Sequence, residues 1–228
     1  MGLSFAVLVA LGILIVLGTW QARKAGPKTA LLKKIEVGLS ATPMALPVHL
    51  DDPSSVEYQR FSVVGRFLDK PPLAVFATNT EGKGGYHLYM PLKSQYGRIV
   101  MVNLGWVPNK DQLESYIPPE TDLNITGVLR ANSQPGAFSA PNVISTNDFY
   151  TADVHDLAAS WGFTSKDYYH FRLASDHRGE LGTLPQGGQI RLDIPNNHFQ
   201  YALTWFGIGL SLVGVYIAVG IKKARDEA

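Results

Sequence analysis

Asn196-Asn197-His198-Phe199-Gln200-Tyr201-Ala202-Leu203-Thr204-Trp205 opens a segment that carries no charged residue from Phe199 to Ile221 and closes on Lys222, Lys223 and Arg225. Its length decides the fold. At about 1.5 Å rise per residue, a helix over it extends roughly 35 Å, enough to cross a hydrocarbon core of ~30 Å. A second uncharged run, Leu3 to Trp20, stands at the other end, extended by Gln21 and Ala22 before Arg23. The stretch between them has the composition of an ordinary water-soluble domain.

Both runs read as transmembrane helices. A cleaved signal peptide is the competing reading of the first. The only positive charge before it is the α-amino group, and no clear A-x-A-like site precedes the basic stretch, so a retained span is expected. The predicted organisation is a first helix over 1–22, a β-rich domain over 23–197, a second helix over 198–221 and a tail over 222–228. Small residues at Ala6, Ala10 and Gly18 on one helix, and at Gly207, Ser211 and Gly214 on the other, would let the two pack closely. Glycine is also simply common in membrane helices.

Two spans put both termini on one side. The tail carries Lys222, Lys223 and Arg225, while the central stretch begins with Arg23, Lys24, Lys28, Lys33 and Lys34. Long loops cross largely regardless of charge, so the short tail weighs more. The expected topology has a cytoplasmic tail and an extracytoplasmic domain in a bacterial cytoplasmic membrane. The mitochondrial inner membrane, with the tail in the matrix, is the alternative. The start directly at the first span, without an Arg-rich transit segment, favours a bacterium.

A net charge of +1 and the lack of a basic stripe with interleaved aromatics argue against nucleic acid as a partner. The lipid bilayer is the expected one. The chain has no cysteine, which excludes thiol redox chemistry, Cys-ligated zinc and Cys-based copper delivery. A domain on the oxidising side must then hold together by its core and sheet alone.

Leu31, Leu32, Ile35 and Leu39 share one face of a predicted helix over Pro27–Leu39, with lysines around it, as in a helix lying at a membrane surface. Beyond residue 56 the pattern turns to short β-prone runs: Tyr58–Phe67, Leu73–Thr78, Tyr86–Pro91, Arg98–Val107, Asn124–Arg130, Tyr168–Ala174 and a possible strand at Gln189–Asp193. Glu81-Gly82-Lys83-Gly84-Gly85, Gln95-Tyr96-Gly97 and Pro118-Pro119 supply turns. A helix is expected over Asp148–Trp161, with Asn147 or Asp148 as N-cap and Gly162 at C′. Ala131–Ser145 reads as a long surface loop. The predicted class is an α+β membrane protein. Two transmembrane helices flank an antiparallel barrel- or sandwich-like domain with one or two helices.

Enzyme signatures are missing. Gly82-Lys83-Gly84-Gly85 lacks phosphate-loop spacing, and there is no G-x-S-x-G or H-E-x-x-H. His49, His87, His155, His170 and His177 form no i, i+4 pair. Carboxylates such as Asp51, Asp52, Asp153 and Asp156 read as solvated positions. No catalytic constellation emerges, and the chain is expected not to be an enzyme.

His198 remains. On a helix it shares a face with Tyr201, Ala202 and Trp205, at i+3, i+4 and i+7. Such a face can wall a flat apolar macrocycle whose iron takes a histidine, with Trp20, Arg23 and Lys24 at the same level of the first helix. Interfacial anchoring by His and Trp is the bland alternative.

The chain resembles the surfeit locus protein 1 family of cytochrome c oxidase assembly factors. The resemblance rests on Leu17-Gly18-Thr19-Trp20-Gln21 with Arg23 and Lys28, Gly65-Arg66-Phe67, Gly85-Tyr86, and Pro91-Leu92. It continues through Val102-Asn103-Leu104-Gly105-Trp106-Val107-Pro108, Gly127-Val128-Leu129-Arg130, and Asn197-His198-Phe199-Gln200-Tyr201-Ala202-Leu203-Thr204-Trp205-Phe206. It implies a factor that binds haem a transiently and assists its insertion into subunit I of an aa3-type oxidase. His198 would be the iron ligand, Tyr201 and Trp205 would flank the ring, and Trp20 and Arg23 would complete the site. Gly105 and Trp106 would dock oxidase subunits or other assembly factors. The implied alternative is a haem-free interaction protein that stabilises an oxidase intermediate or persists as an accessory subunit. Leu104 stands where the family usually has Arg, which removes a cation from a propionate or partner surface. The region before the 148–161 helix lacks the family's Trp and Arg-Asp pattern.

Overall fold

A computed structural model describes residues 2–114, 116–176, 184–188 and 197–226. In chain order these form α1 (Gly2–Ser40), β1 (Met44–Ala45), β2 (Arg60–Phe67), β3 (Leu73–Thr78), β4 (Gly84–Ser94), β5 (Ile99–Val107), α2 (Asp111–Glu114), β6 (Leu123–Ala131), a 3-10 turn (Ile144–Thr146), α3 (Val154–Trp161), β7 (Tyr168–Ser175) and α4 (His198–Asp226). The chain forms two compact units, Met1–Lys34 with Asp193–Ala228, and Ile35–Leu192.

The first unit is a pair of antiparallel helices, both long and apolar enough to cross a membrane. Only 6% and 11% of their most apolar stretches are buried. A soluble protein would cover so much apolar surface, whereas lipid covers it for a membrane helix. Along α1 the less exposed positions include Ser4, Val7, Leu11, Leu14, Gly18 and Gln21, alternating by three and four. Along α4 they include His198, Ala202, Trp205, Gly209 and Leu212, in the same rhythm. A repeat of 3.5 keeps one seam facing the partner along the whole pair. A side chain added at Gly18 would stand 2.7 Å from the Phe206 ring, and Gly209 faces Leu11 and Leu14. Further along, Tyr216 Oη and Ser4 Oγ are 2.8 Å apart. Of the small residues expected to mediate packing, Gly18 does so. A Cβ added at Gly207 or Gly214 would meet nothing within 4 Å, and Gly209 takes their place.

The boundary expected after residue 22 is not a helix boundary. α1 continues through Pro27 to Ser40, so Pro27–Leu39 is its second half rather than a separate helix. Proline there removes one backbone hydrogen bond, but Ala22, Arg23, Lys24 and Ala25 before it are strong helix formers that carry the helix past it.

In the second unit, β2, β6, β7, β5 and β4 pair in that order, and β4 pairs back to β2 through Gly65–Ser94, Arg66–Lys93 and Phe67–Leu92. This closes a five-stranded barrel, with β3 added outside β4 and β1 added outside β2. Closure needs Gly65, because a Cβ there would overlap the Lys93 carbonyl. β5 is buried along its whole length. Its Val100, Val102 and Leu104 enter the barrel core with Phe61, Leu92, Leu129 and Phe171. Its Ile99 and Met101 face a second core with Val154, Leu157 and Trp161 of α3. A strand covered on both faces explains why this run reads as almost continuously apolar.

The six strands predicted between residues 58 and 174 are present, with ends shifted by at most three residues. Tyr58 has φ +74°, so the first one begins two residues later, at Arg60. The Gly82 and Gly97 segments are the expected hairpin turns, each glycine at positive φ. α3 starts later than predicted. Asp153, not Asn147 or Asp148, caps it by accepting from the His155 amide at 2.8 Å. Asp148 is drawn away by Lys110 at 2.6 Å and Thr146 at 2.8 Å. Gly162 ends the helix as expected. The strand expected at Gln189–Asp193, and His177, lie outside the described residues.

Candidate functional site

α4 begins where Tyr201 N–H donates to Asn197 O at 3.0 Å, which closes the first turn and sets His198 on the seam. From α1, Gln21 reaches the same point. Its Oε1 lies 2.7 Å from His198 Nδ1. An amide oxygen only accepts, so Nδ1 carries the hydrogen. In the neutral ring the lone pair then belongs to Nε2.

Tyr201 and Trp205 flank this point differently. Ala202, one turn on from His198, is 3% exposed and marks the seam. Tyr201 turns away from the seam and is exposed, while Trp205 is half-buried. Trp205 lines an apolar cleft of about 240 Å³ with Leu11, Leu14, Ile15, Phe206 and Gly209. On α1, Trp20 is exposed beside Gln21. Arg23 sits two residues beyond Gln21, about 200° around the helix, and so points away from the seam. Lys24, about 60° from Gln21, is the cation on the His198 side.

Gln21 is the residue that sequence reasoning missed. Its signal is faint: a neutral polar side chain that closes an apolar run. Nothing local ties it to a histidine 177 positions away.

Gly105 and Trp106 offer a partner little surface. Trp106 is 5% exposed and donates from Nε1 to Ala77 O at 3.3 Å. Gly105 has φ +139° and lies under the backbone of Gln186, which pairs with Trp106. Leu104 is equally inward. It is 8% exposed and lines a cavity of about 550 Å³ with Phe67, Tyr116, Leu123, Ile125 and Pro185. Position 104 therefore faces the domain interior.

Two other histidine sites lie in the β domain. His87 Nδ1 accepts from Asn103 Nδ2 at 2.8 Å, because Asn103 Oδ1 is occupied by the Gly105 amide. This ring is the opposite tautomer to His198, with its hydrogen on Nε2, which is buried with no partner among the described residues. Burial, with smaller contributions from Arg172 and Arg130, lowers its pKa to about 4. On α3 and β7, His155 Nδ1 contacts Tyr168 Oη at 2.8 Å, and the His155 and His170 rings are 5.3 Å apart. Burial, His155 and Arg98 push His170 below the usual imidazole range. Among the described residues no group of three or more His, Asp or Glu could hold a metal ion.

A family model described as the SURF1 family matches residues 8–210. The chain belongs to the SURF1 family. Similar proteins include a SURF1-like protein of Rickettsia felis, 26% identical over 217 residues that cover 94% of this chain and 95% of the relative. A SURF1-like protein of Monosiga brevicollis is 27% identical, covering 95% and 87%. Surfeit locus protein 1 of Mus musculus is 26% identical, covering 84% and 67%. The family match takes in Gln21, the barrel and His198 with the first turns of α4.

Proposed function

We propose that this member of the SURF1 family is a non-enzymatic assembly factor for aa3-type cytochrome c oxidase. It holds haem a transiently and assists its insertion into subunit I. One observation supports this most. Where two apolar helices meet, His198 has Nδ1 engaged by Gln21, which in the neutral ring leaves the lone pair on Nε2. A neutral imidazole in that state is a ligand for haem iron.

The surroundings fit such a cargo. Trp205 and the cleft it lines offer apolar surface one to two turns along α4 from His198, and Tyr201 is an exposed aromatic on the same helix. Lys24 stands on the Gln21 side of α1, where it can neutralise a carboxylate. Trp20 adds an aromatic at the interface. A single protein ligand gives moderate affinity, which suits a carrier that must release what it holds. The expected location is the bacterial cytoplasmic membrane with the barrel on the periplasmic side, facing other assembly factors there.

The test is complementation. Cells that lack this chain but make an aa3-type oxidase are supplied with wild type or His198→Ala. Wild type is expected to restore the haem a content of subunit I, and His198→Ala to restore less than a tenth of it. Full restoration by His198→Ala would favour the haem-free interaction protein instead.

A further inference from the structure

We propose that Gln21 is the positioning residue of the His198 ligand. It holds the neutral ring as the Nδ1–H tautomer, so that Nε2 alone is offered to an iron. The consequence for iron rests on the haem reading above, but the tautomer does not, and the two can be tested apart.

The argument begins with valence. Gln21 Oε1 has lone pairs and no hydrogen, so the 2.7 Å contact requires a hydrogen on Nδ1. Histidine side chains that ligate metals usually give their second ring N–H to such an acceptor, which fixes ring orientation and raises the basicity of the ligating nitrogen. Here the acceptor comes from the other membrane helix, 177 positions away. The ligand is therefore presented only when α1 and α4 are packed. The packing elsewhere on the seam, Phe206 on Gly18 and Leu11 and Leu14 on Gly209, holds that register.

The barrel supplies an internal contrast. His87 faces an amide nitrogen, because Asn103 Oδ1 is committed to the Gly105 amide, and is thereby held as the Nε2–H form. One chain thus uses side-chain amides to hold two histidines as opposite tautomers. Only the one on the helix pair leaves its outer nitrogen able to bind a metal.

The acceptor also sets how strongly the ligand donates. A neutral amide polarises the ring less than a carboxylate would, because charge-assisted hydrogen bonds are roughly twice as strong. Gln21 therefore suits a ligand of moderate strength, as a transient carrier needs. A glutamate at 21 would make a tighter one.

The experiment uses the full-length protein in detergent, labelled with ¹⁵N-histidine, with the His198 signals assigned by their loss in His198→Ala. Without haem, wild type is expected to show a protonated Nδ1 and a bare Nε2 at His198. In Gln21→Leu the ring should shift toward the Nε2–H form that an unconstrained histidine side chain prefers. Gln21→Glu, which keeps an acceptor oxygen, should retain the wild-type tautomer. Ferric protoporphyrin IX is then titrated in. Gln21→Leu should bind it roughly 10–100-fold more weakly than wild type, the usual cost of losing such a partner, while Gln21→Glu binds at least as tightly. An Nε2–H ring in wild type, or an unchanged tautomer in Gln21→Leu, overturns the inference. The stated tautomers without any porphyrin binding by wild type would instead overturn the haem reading and leave the role of Gln21 in orienting His198 standing.

Discussion

His198 Nδ1 and Gln21 Oε1 meet at 2.7 Å, joining the first turn of α4 to the end of the apolar run of α1. The two helices thus do more than anchor the barrel. They share a polar contact at the end of each helix's apolar run, and that contact decides which nitrogen of the ring is engaged.

The seam that brings them together is tight at Gly18. Gly18→Leu is expected to force the Phe206 ring aside and separate the helices, and Phe206→Ala in the same chain should restore them. Gly207→Leu, at a position with nothing within 4 Å, should change little. The chain has no cysteine, so spin labels at Leu3→Cys and Ile217→Cys report the interhelix distance cleanly. Equal distances in Gly18→Leu and wild type would contradict this packing.

His87 gives the barrel a pH dependence of definite sign. Its pKa is about 4 in the folded protein, against an ordinary value of 6.5. The folded ring stays neutral over that range while the unfolded one takes up a proton. Stability is therefore intact above pH 6.5 and falls as pH drops toward 4, by about 3 kcal/mol in full. Thermal unfolding midpoints at pH 7 and pH 4.5 should differ more in wild type than in His87→Leu. Equal slopes would remove His87 as the cause.

Gly105 is fixed by its backbone. At φ +139°, with the Gln186 backbone against it, no L side chain fits without strain. Gly105→Ala is expected to destabilise the barrel by roughly 3 kcal/mol, seen as a lower unfolding midpoint. A change of less than about 0.5 kcal/mol, the scale of an ordinary surface substitution, would show that the Gln186 segment gives way freely.

Much of this fold is legible in the amino-acid sequence. Turn glycines at positive φ and runs of apolar residues mark strands locally, which is why Leu73–Thr78 was read end to end. Barrel closure was not legible, since the pairing of β2 with β4 is a matter of register between distant strands. The start of α3 was misplaced because Asp148, a good N-cap by type, is engaged by Lys110 instead. Within the site, His198 announced itself by standing at the mouth of an uncharged segment. Gln21 did not, because its role exists only once two helices pack in register. Arg23 stands out in the sequence as the first charge after the span, and helical rotation places it about 200° from Gln21.

The most direct test of the account is the optical spectrum of the full-length protein purified from cells that synthesise haem a, compared with His198→Ala prepared identically. Wild type is predicted to carry haem a with the spectrum of a histidine-ligated iron, and His198→Ala to lose most of it while keeping its thermal unfolding midpoint. Equal haem a content and equal spectra in the two proteins would contradict the central claim.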